Sequence, residues 1–401
     1  MRSNLVSIFC VVLTGILIAG DTSCKKPEEI YRNFNSIEQD IGIHPRFDTR
    51  HQILQLGNED YLLCGSSSAD SAIFVAHLNA DGHIINLNVE FGIGSGHQIV
   101  KIPHIEDQYL FLGSHKEEGS SKEGFFSVVI NSDGAPVDSI VYFGQEFDEI
   151  GLREYAKAYA VIPTQDSGFF FTGGFKQTIS STPRLFGLKV DAQFNTQWKK
   201  TYRSNAVGIA TLQTDGGELI ITASTNPSIY LIAIDNNNGA KLSERTLFQT
   251  VSRGNEEALL TDKGTIAVVS TTQVNSTEDI YFIECSFDSI SQSFEILNDL
   301  FIGSDTSNEY GHQIIQSRDG GFVILGVDDE EPNALILQHI TSSRTEGWQE
   351  RYPGGNFIQP GDIVQTILDF GFFCFGISEQ QEGNYFHMIK TDEVGKTEEK
   401  L

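Results

Sequence analysis

Residues 319–326 read Asp-Gly-Gly-Phe-Val-Ile-Leu-Gly, a tight turn followed by an apolar strand that ends on glycine. The pattern recurs at residues 166–173 as Asp-Ser-Gly-Phe-Phe-Phe-Thr-Gly and at residues 369–376 as Asp-Phe-Gly-Phe-Phe-Cys-Phe-Gly. Four more divergent copies begin at residues 58, 106, 215 and 262. Asp, Asn and Gly favour the tight reversal that such a stretch requires. The sequence therefore contains an internal repeat with seven copies.

The spacing of these copies predicts the architecture. Successive copies begin 48, 60, 49, 47, 57 and 50 residues apart, and periods near 50 residues are typical of propeller blades rather than of helical solenoids. Each copy has a short strand before the turn and a further apolar strand that runs into a second turn, as at residues 73–82 and 125–134. Each unit is thus expected to be a sheet of four antiparallel strands. The sequence predicts an all-β fold, a seven-bladed β-propeller of four-stranded antiparallel blades, with few helices.

The repeat resembles a known family. Residues 74–82, Phe-Val-Ala-His-Leu-Asn-Ala-Asp-Gly, together with the Asp-Gly-Gly turns, resemble the repeats of exported bacterial proteins that include the delta-60 repeat family. The resemblance covers residues 45–400. It implies a propeller scaffold, and it implies no shared catalytic residue.

The N-terminus has the pattern of an export signal. Arg2 supplies a positive charge, and residues 5–19 form an almost unbroken apolar run. A run of this length is typical of a signal-peptide core, since a bilayer-spanning helix needs about 20 residues. We therefore predict a signal peptide over residues 1–23, of the lipoprotein type.

Two processing routes are compatible with this signal. Cys24 follows Ser23 at the end of the apolar segment, which resembles a bacterial lipobox in which Cys24 would be lipidated. The box usually has Leu three positions earlier, where this chain has Asp21. The alternative is ordinary cleavage after Gly20. The lipoprotein route is preferred, with residues 24–30 as a tether and residues 31–401 as a single propeller domain. It predicts an outer-membrane lipoprotein that faces the surface or the periplasm of a Gram-negative bacterium.

Composition narrows the classes of partner. The formal net charge is −27, from 27 basic and 54 acidic residues. Such a field repels nucleic-acid phosphates and anionic lipid headgroups, so we predict no nucleic-acid partner and membrane contact only through the N-terminal lipid.

Beyond the signal, the cysteines are Cys64, Cys285 and Cys374. Their spacing fits neither a disulfide framework nor a metal site, and we expect them to act as small apolar residues in strands.

Familiar catalytic motifs are absent from the sequence. It has no Gly-x-Ser-x-Gly elbow, no His-Glu-x-x-His pair, and no phosphate-binding glycine loop between a strand and a helix. Residues 235–246 are similar to a calcium loop at Asp235, Asn237 and Gly239, but Thr246 replaces the bidentate Glu, and the segment aligns with the other turns. We therefore predict no catalytic residue, no cofactor and no metal ion.

One set of polar residues is predicted to converge. His-Gln-Ile occurs at residues 51–53, 97–99 and 312–314. Counting back from each repeat gives one position at the start of the first strand of each blade, where a propeller lines its central channel. The predicted ring at the channel mouth consists of His51, His97, Tyr159, Gly208, Asn255, His312 and Asp362. It is either a polar or metal-binding ring or repeat sequence that favours polar residues in a wet channel, and the second interpretation is preferred.

Three functions remain open from the sequence. The preferred one is a non-catalytic binding scaffold of the cell envelope that presents loops, above all residues 175–184 and 327–332, to a glycan or a protein partner. A structural envelope protein is the second. The third is an enzyme that acts on extracellular polysaccharide at the channel mouth, which rests on fold analogy.

Overall fold

The structure is a computed structural model, and it describes residues 36–39, 44–46, 50–68, 71–116, 122–143, 155–178, 180–225, 228–249, 257–274, 276–330, 332–353, 358–380 and 383–397. The predicted signal peptide (1–23), Cys24, the tether (24–30) and Asn255 lie outside the described residues. Within the described ranges, no helix has the length and apolar character needed to cross a membrane.

The described residues form 28 strands in six sheets. One sheet combines β1 (Ser36–Gln39) with β26 (Ile358–Gln365), β27 (Phe372–Gln380) and β28 (Gly383–Thr391). The next comprises β2 (Gln52–Gln55), β3 (Tyr61–Ser66), β4 (Ile73–Leu78) and β5 (Ile84–Asn88). A larger sheet contains β6 (Gly94–Lys101), β7 (Tyr109–Lys116), β8 (Glu123–Ile130), β9 (Val141–Phe143), β10 (Tyr155–Pro163), β11 (Phe169–Lys176), β12 (Arg184–Val190) and β13 (Thr196–Ser204).

Three further four-stranded sheets complete the described fold. The first comprises β14 (Val207–Gln213), β15 (Leu219–Thr225), β16 (Ser228–Ile234) and β17 (Lys241–Gln249). The second comprises β18 (Glu257–Leu260), β19 (Ile266–Val274), β20 (Thr277–Asp288) and β21 (Ser293–Ile302). The third comprises β22 (Glu309–Gln316), β23 (Phe322–Asp328), β24 (Ala334–Ile340) and β25 (Glu346–Pro353).

The eight-stranded sheet consists of two antiparallel sets, β6–β9 and β10–β13. A single parallel pair, Tyr155 with Glu123, joins β10 to β8. We use the term unit for each set of four antiparallel strands, including the set that β1 completes by pairing Ser36 with Ile389 and Gln39 with Phe386.

Turn chemistry explains why the chain reverses where the repeat begins. Gly217, Gly264 and Gly320 have φ angles of 91°, 75° and 79°, a left-handed conformation that a residue with a Cβ adopts only at a cost. Each of these glycines joins the first strand of its unit to the second. The Asp-Gly-Gly pattern is therefore the sequence of a left-handed turn.

Apolar clusters hold neighbouring units together. The middle strands of the units, such as β3, β4, β23 and β24, are buried along their whole length. One cluster joins Leu110 of β7 to Phe171 of β11, and another joins Phe74 of β4 to Phe375 of β27. Seven such clusters form among the described residues, each between two neighbouring units. Because each unit has a partner on both faces, the two middle strands are protected from water.

The first strands of the units surround a central space. Each of β2, β6, β10, β14, β18, β22 and β26 contacts the next one in this order, and β26 contacts β2. We call the space that they enclose the central channel. Within the units, tight turns join the first strand to the second and the third strand to the fourth. We call the end of the fold where these turns lie the turn face. The loop face is the opposite end.

A contact between a basic side chain and an acidic one repeats within units around the fold. In four units, a basic side chain near the end of the third strand meets the acid of the first turn: His77 with Asp60, Lys189 with Asp166, His339 with Asp319 and Lys390 with Asp369. Lys189 is the most enclosed. Its side chain is fully buried, and its Nζ lies 2.9 Å from both carboxylate oxygens of Asp166 and 3.2 Å from the carbonyl oxygen of Val190.

We expect Asp166→Ala to lower the free energy of unfolding by about 2 kcal/mol at neutral pH, because it leaves the buried Lys189 ammonium with a single carbonyl partner. The value is below that for a fully buried pair, because the Asp166 side chain is 42% exposed and water screens it. Urea unfolding of Asp166→Ala and of Asp166→Ala/Lys189→Met provides the measurement. The double variant should recover most of the loss, and equal losses in the two variants would contradict the interpretation.

Candidate functional site

The structure places three of the predicted ring residues, His97, Tyr159 and His312, at a β-bulge in the first strand of their units. In β6, Gly96 pairs with Gly113 and Gln98 with Leu112, which leaves His97 unpaired. Tyr159 and His312 are unpaired in the same way in β10 and β22, and His51 immediately precedes β2. These four residues are thus equivalent.

The register of the other predicted ring residues is different. Gly208 pairs with Ala223, and the following residue, Ile209, takes the bulged position. Asp362 shares its bulge with Gly361. Asn255 lies outside the described residues.

His51 and His97 pack against the second strand of their own unit. The backbone N–H of Ser66 donates to Nε2 of His51 at 3.4 Å, and Nε2 of His97 lies 3.1 Å from Oγ of Ser114. A Cβ on Gly65 would lie 2.0 Å from Cδ2 of His51. The two imidazoles are 4% and 6% exposed. They are therefore parts of the protein interior near the channel.

Burial also sets the charge of these residues. It lowers the pKa of His97 and of His312 to about 3, with additional repulsion from Arg50 in both cases. Both imidazoles are therefore neutral near pH 7, and their Nδ1 atoms make no hydrogen bond to other described residues. In the part of the chain that the structure describes, no group of three or more His, Cys, Asp or Glu residues could hold a metal ion. A binding role for the ring remains a prediction.

The residue after the bulge connects neighbouring units. Oε1 of Gln52 accepts from the N–H of Ile99 at 2.6 Å, and Oε1 of Gln98 accepts from the N–H of Val161 at 2.7 Å. In two of the three His-Gln-Ile copies the glutamine thus accepts a hydrogen bond from the neighbouring unit, which gives the repeated glutamine a structural reason there.

Asp362 makes the corresponding connection between β26 and β2. Its Oδ2 accepts from the N–H of Ile53 at 3.0 Å, and its Oδ1 accepts from the N–H of Ile363 at 2.8 Å. Burial raises the pKa of Asp362 to about 8, against the effect of these two N–H groups and with a further contribution from Glu257. The channel therefore contains a carboxyl group that keeps its proton at neutral pH.

Arg50 crosses the channel. Its Nη1 donates to the carbonyl oxygen of Ile209 at 2.8 Å and lies 3.7 Å from Oε2 of Glu257. Burial raises the pKa of Glu257, and Arg50 opposes that shift. Since Arg50 precedes β2 whereas Ile209 and Glu257 belong to β14 and β18, this side chain ties opposite sides of the channel together.

A large cavity lies on the turn face. It has a volume of about 1050 Å³ and runs from the turns of the β6–β9 and β10–β13 units to the ends of β14 and β18 at the channel mouth. We call it the turn-face groove. Its apolar lining includes Ile102, Val141, Ile162, Phe169, Phe194, Leu212 and Leu260. The predicted binding loops at residues 175–184 and 327–332 do not contribute to this groove.

Two turn glycines are replaced in the unit that forms one wall of the groove. Ser167 and Phe194 have φ angles of 63° each, at turn positions where other units have glycines such as Gly320 and Gly82. A bulky residue in this conformation is strained by about 1–3 kcal/mol. The Phe194 ring stacks on Phe169, with ring centroids 5.2 Å apart. The chain therefore tolerates strain at a position where an aromatic ring lines the groove.

Arg344 provides a comparison for Phe194. It has a φ angle of 65° at the same turn position in the β22–β25 unit. Its Nε and Nη2 donate to the Glu284 carboxylate at 2.6 and 2.9 Å, which fastens two neighbouring units. Arg344 thus fastens two units through an ion pair, whereas Phe194 packs on the apolar cluster between the β6–β9 and β10–β13 units and lines the groove.

The polar rim of the groove carries negative charge. Asp138 lines the groove, and Glu106 and Asp107 are exposed in the turn that contains the lining residues His104 and Gln108. Among the described residues that line the groove there is neither Lys nor Arg. The groove thus combines an apolar floor with an acidic rim.

Comparisons with known proteins identify the fold. No protein-family model and no curated protein matches the chain. Hydrazine synthase from Kuenenia stuttgartiensis is similar in structure, with a TM-score of 0.58 and 10% identity over 88% of this chain and 97% of that chain. The WD40 domain of Pan2 from Neurospora crassa has a TM-score of 0.53 and 9% identity over 91% and 97%. A streptogramin B lyase has a TM-score of 0.53 and 12% identity over 90% and 100%.

Identities this low carry information on the fold alone. WD40 repeats form β-propellers of four-stranded blades, and the sheets of this chain are likewise antiparallel and four-stranded, with one pair joined into a larger sheet. The protein is an all-β chain with a β-propeller-like fold.

Proposed function

We propose that this protein is a non-catalytic binding protein whose site is the turn-face groove. The observation that carries the proposal is Phe194, a strained aromatic residue that lines this large cavity in place of a turn glycine. Backbone strain is often retained at functional sites. Apolar lining with a few polar groups is typical of sites that bind rather than of exposed surface.

The finer architecture belongs to the same proposal. We infer seven blades of four strands each, with β1 as the fourth strand of the last blade. The supporting observations are the seven sequence copies, the division of the eight-stranded sheet at one residue pair, and the closed series of contacts between first strands.

Export and anchoring are also proposed. A signal peptide over residues 1–23 and lipidation at Cys24 would place the propeller at the outer membrane, on the surface or in the periplasm. Support comes from Arg2, the apolar run and Cys24 in the sequence.

Nile red, a neutral dye that fluoresces in apolar sites, tests the groove directly. We expect saturable binding to the wild type and binding at least about fivefold weaker to Phe194→Gly, since the variant removes an apolar wall of the groove. Glycine suits the φ of 63° at this position, so relief of strain should offset much of the lost stacking. Thermal unfolding checks that the variant remains folded.

The matched control is Ile290→Asn. Ile290 is 96% exposed in a turn of the same face and does not line the groove. The control should bind Nile red as the wild type does. Equal dye affinity in wild type and Phe194→Gly would overturn the groove as the binding site.

A further inference from the structure

We propose that the turn-face groove binds an extended polypeptide segment whose apolar side chains are flanked by Lys or Arg, an inference that rests on the binding role proposed for the groove. Shape is the first argument. The groove has a volume of about 1050 Å³, at the upper end of the range of about 300–1000 Å³ that small-molecule pockets occupy. It extends over several units, because its lining includes Asp138 of the β6–β9 unit, Phe169 of the β10–β13 unit and Leu260 at the end of β18.

Exposed apolar residues extend the groove outward. Ile105, at its edge, is 44% exposed, and Val137, next to the lining residue Asp138, is 48% exposed. A segment with several apolar side chains would cover the lining and these two residues together. A compact ligand would cover only part of this surface.

Free amide groups on the rim suit a polypeptide backbone. The side chains of Gln108 and Gln193 line the groove and make no hydrogen bond to other described residues. Each amide offers a donor and an acceptor, which matches the N–H and C=O groups of an extended peptide. By contrast, the side chain of Gln213 has a partner in the neighbouring unit. Its Oε1 accepts from the backbone N–H of Gln165 at 2.8 Å.

The negative charge around the groove favours basic residues on either side of the apolar segment. The carboxylate of Asp138 lines the groove, and Glu106 and Asp107 are exposed in the turn beside it. The described lining residues include neither Lys nor Arg, and the chain as a whole has a net charge of −27. A basic flank would be attracted by this field, and an acidic flank, a fatty-acid carboxylate or an anionic lipid would be repelled. The partner is thus a protein with an apolar and basic segment.

The test uses three synthetic peptides with one alternating apolar core and flanks of Lys, Ser or Glu. Fluorescence anisotropy should give an affinity for the Lys-flanked peptide at least about tenfold above that of the Glu-flanked peptide. The difference should shrink at high salt, because salt screens exposed charges. The double variant Glu106→Gln/Asp138→Asn should reduce the difference, and Asp81→Asn, in an exposed turn away from the groove, should leave it unchanged.

The outcomes separate this inference from the proposed function. Equal binding of the Lys- and Glu-flanked peptides would overturn the charge selection. Peptides that fail to displace Nile red, while Phe194→Gly still weakens dye binding, would overturn a polypeptide occupant and leave the groove as an apolar binding site. Absence of both dye and peptide binding would overturn the function and the inference together.

Discussion

The substitution Gly173→Ala is expected to lower the free energy of unfolding by about 3 kcal/mol or more. A Cβ at this position would lie 1.9 Å from the carbonyl oxygen of Lys157 and 2.7 Å from Cα of Ala158. Both are backbone atoms of β10, so the clash can be relieved only by separating two paired strands. Overpacking of a buried site costs about 1–3 kcal/mol and occasionally more, and here the obstruction is backbone rather than a flexible side chain.

The matched control is Gly57→Ala. A Cβ at Gly57 would have no neighbour within 4 Å, so we expect a change within about 0.5 kcal/mol. Urea unfolding followed by tryptophan fluorescence measures both variants. A Gly173→Ala protein as stable as Gly57→Ala would show that β10 and β11 are not packed at this distance.

In several units, the glycine that ends the repeat is required for the same physical reason. Because the first strand is bulged, the backbone before the bulge lies directly over the second strand. A Cβ on Gly326 would lie 2.4 Å from the carbonyl oxygen of Tyr310, and one on Gly376 would lie 2.9 Å from that of Gln359. The sequence showed that these glycines recur, and the structure supplies the reason.

The sequence predicted strands and turns well because both depend on local patterns. Runs such as residues 322–328 are apolar almost throughout, and they form strands buried on both faces. Turn glycines such as Gly320 mark the reversals. The four-stranded antiparallel sheets follow directly from these two signals.

The sequence alone did not show in which direction the side chains of the predicted ring residues point. A β-bulge adds one residue to a strand and changes the face to which the following side chains point. Counting positions predicted His97 and His312 at the start of their strands, whereas each is the fourth residue of its strand, and it did not reveal that His97 packs toward Ser114. It also assigned Gly208 where Ile209 is the bulged residue.

The groove was missed, although a signal for it was present. In the β10–β13 unit the repeat loses both turn glycines, to Ser167 and Phe194. A departure from the repeat at two turns of one unit marks that unit as different from the others. Its consequence depends on which turns become neighbours on the turn face, and this follows from tertiary packing rather than from local sequence.

Between about pH 4 and about pH 8, the stability of the wild type is expected to fall relative to Asp362→Asn. Burial raises the pKa of Asp362 from 3.8 to about 8 in the folded chain. The unfolded chain loses this proton near pH 4, whereas the folded chain keeps it until about pH 8, so rising pH favours unfolding over this window. We expect a relative change of about 6 kcal/mol, since the pKa differs by about 4 units, each unit corresponds to about 1.4 kcal/mol, and the raised pKa already includes the opposing effect of Arg50.

The stability curves of the two proteins should cross. The amide that Asp362→Asn introduces would retain one acceptor oxygen for the N–H groups of Ile53 and Ile363, so this variant should be less stable than the wild type by about 1 kcal/mol at low pH. The order should reverse near pH 5, because above about pH 4 the wild type loses about 1.4 kcal/mol of relative stability per pH unit until about pH 8. Urea unfolding across this pH range gives both curves.

The matched control for Asp362 is Gln98→Ala. Gln98 makes the same connection between units, to the N–H of Val161, without an ionisable group. Its loss should cost about 1 kcal/mol at every pH. Parallel curves for Asp362→Asn and the wild type would contradict the raised pKa and would mean that Arg50 and the two N–H groups outweigh burial. Crossing curves would mean that burial outweighs the opposing effects of Arg50 and the two N–H groups on the Asp362 carboxyl.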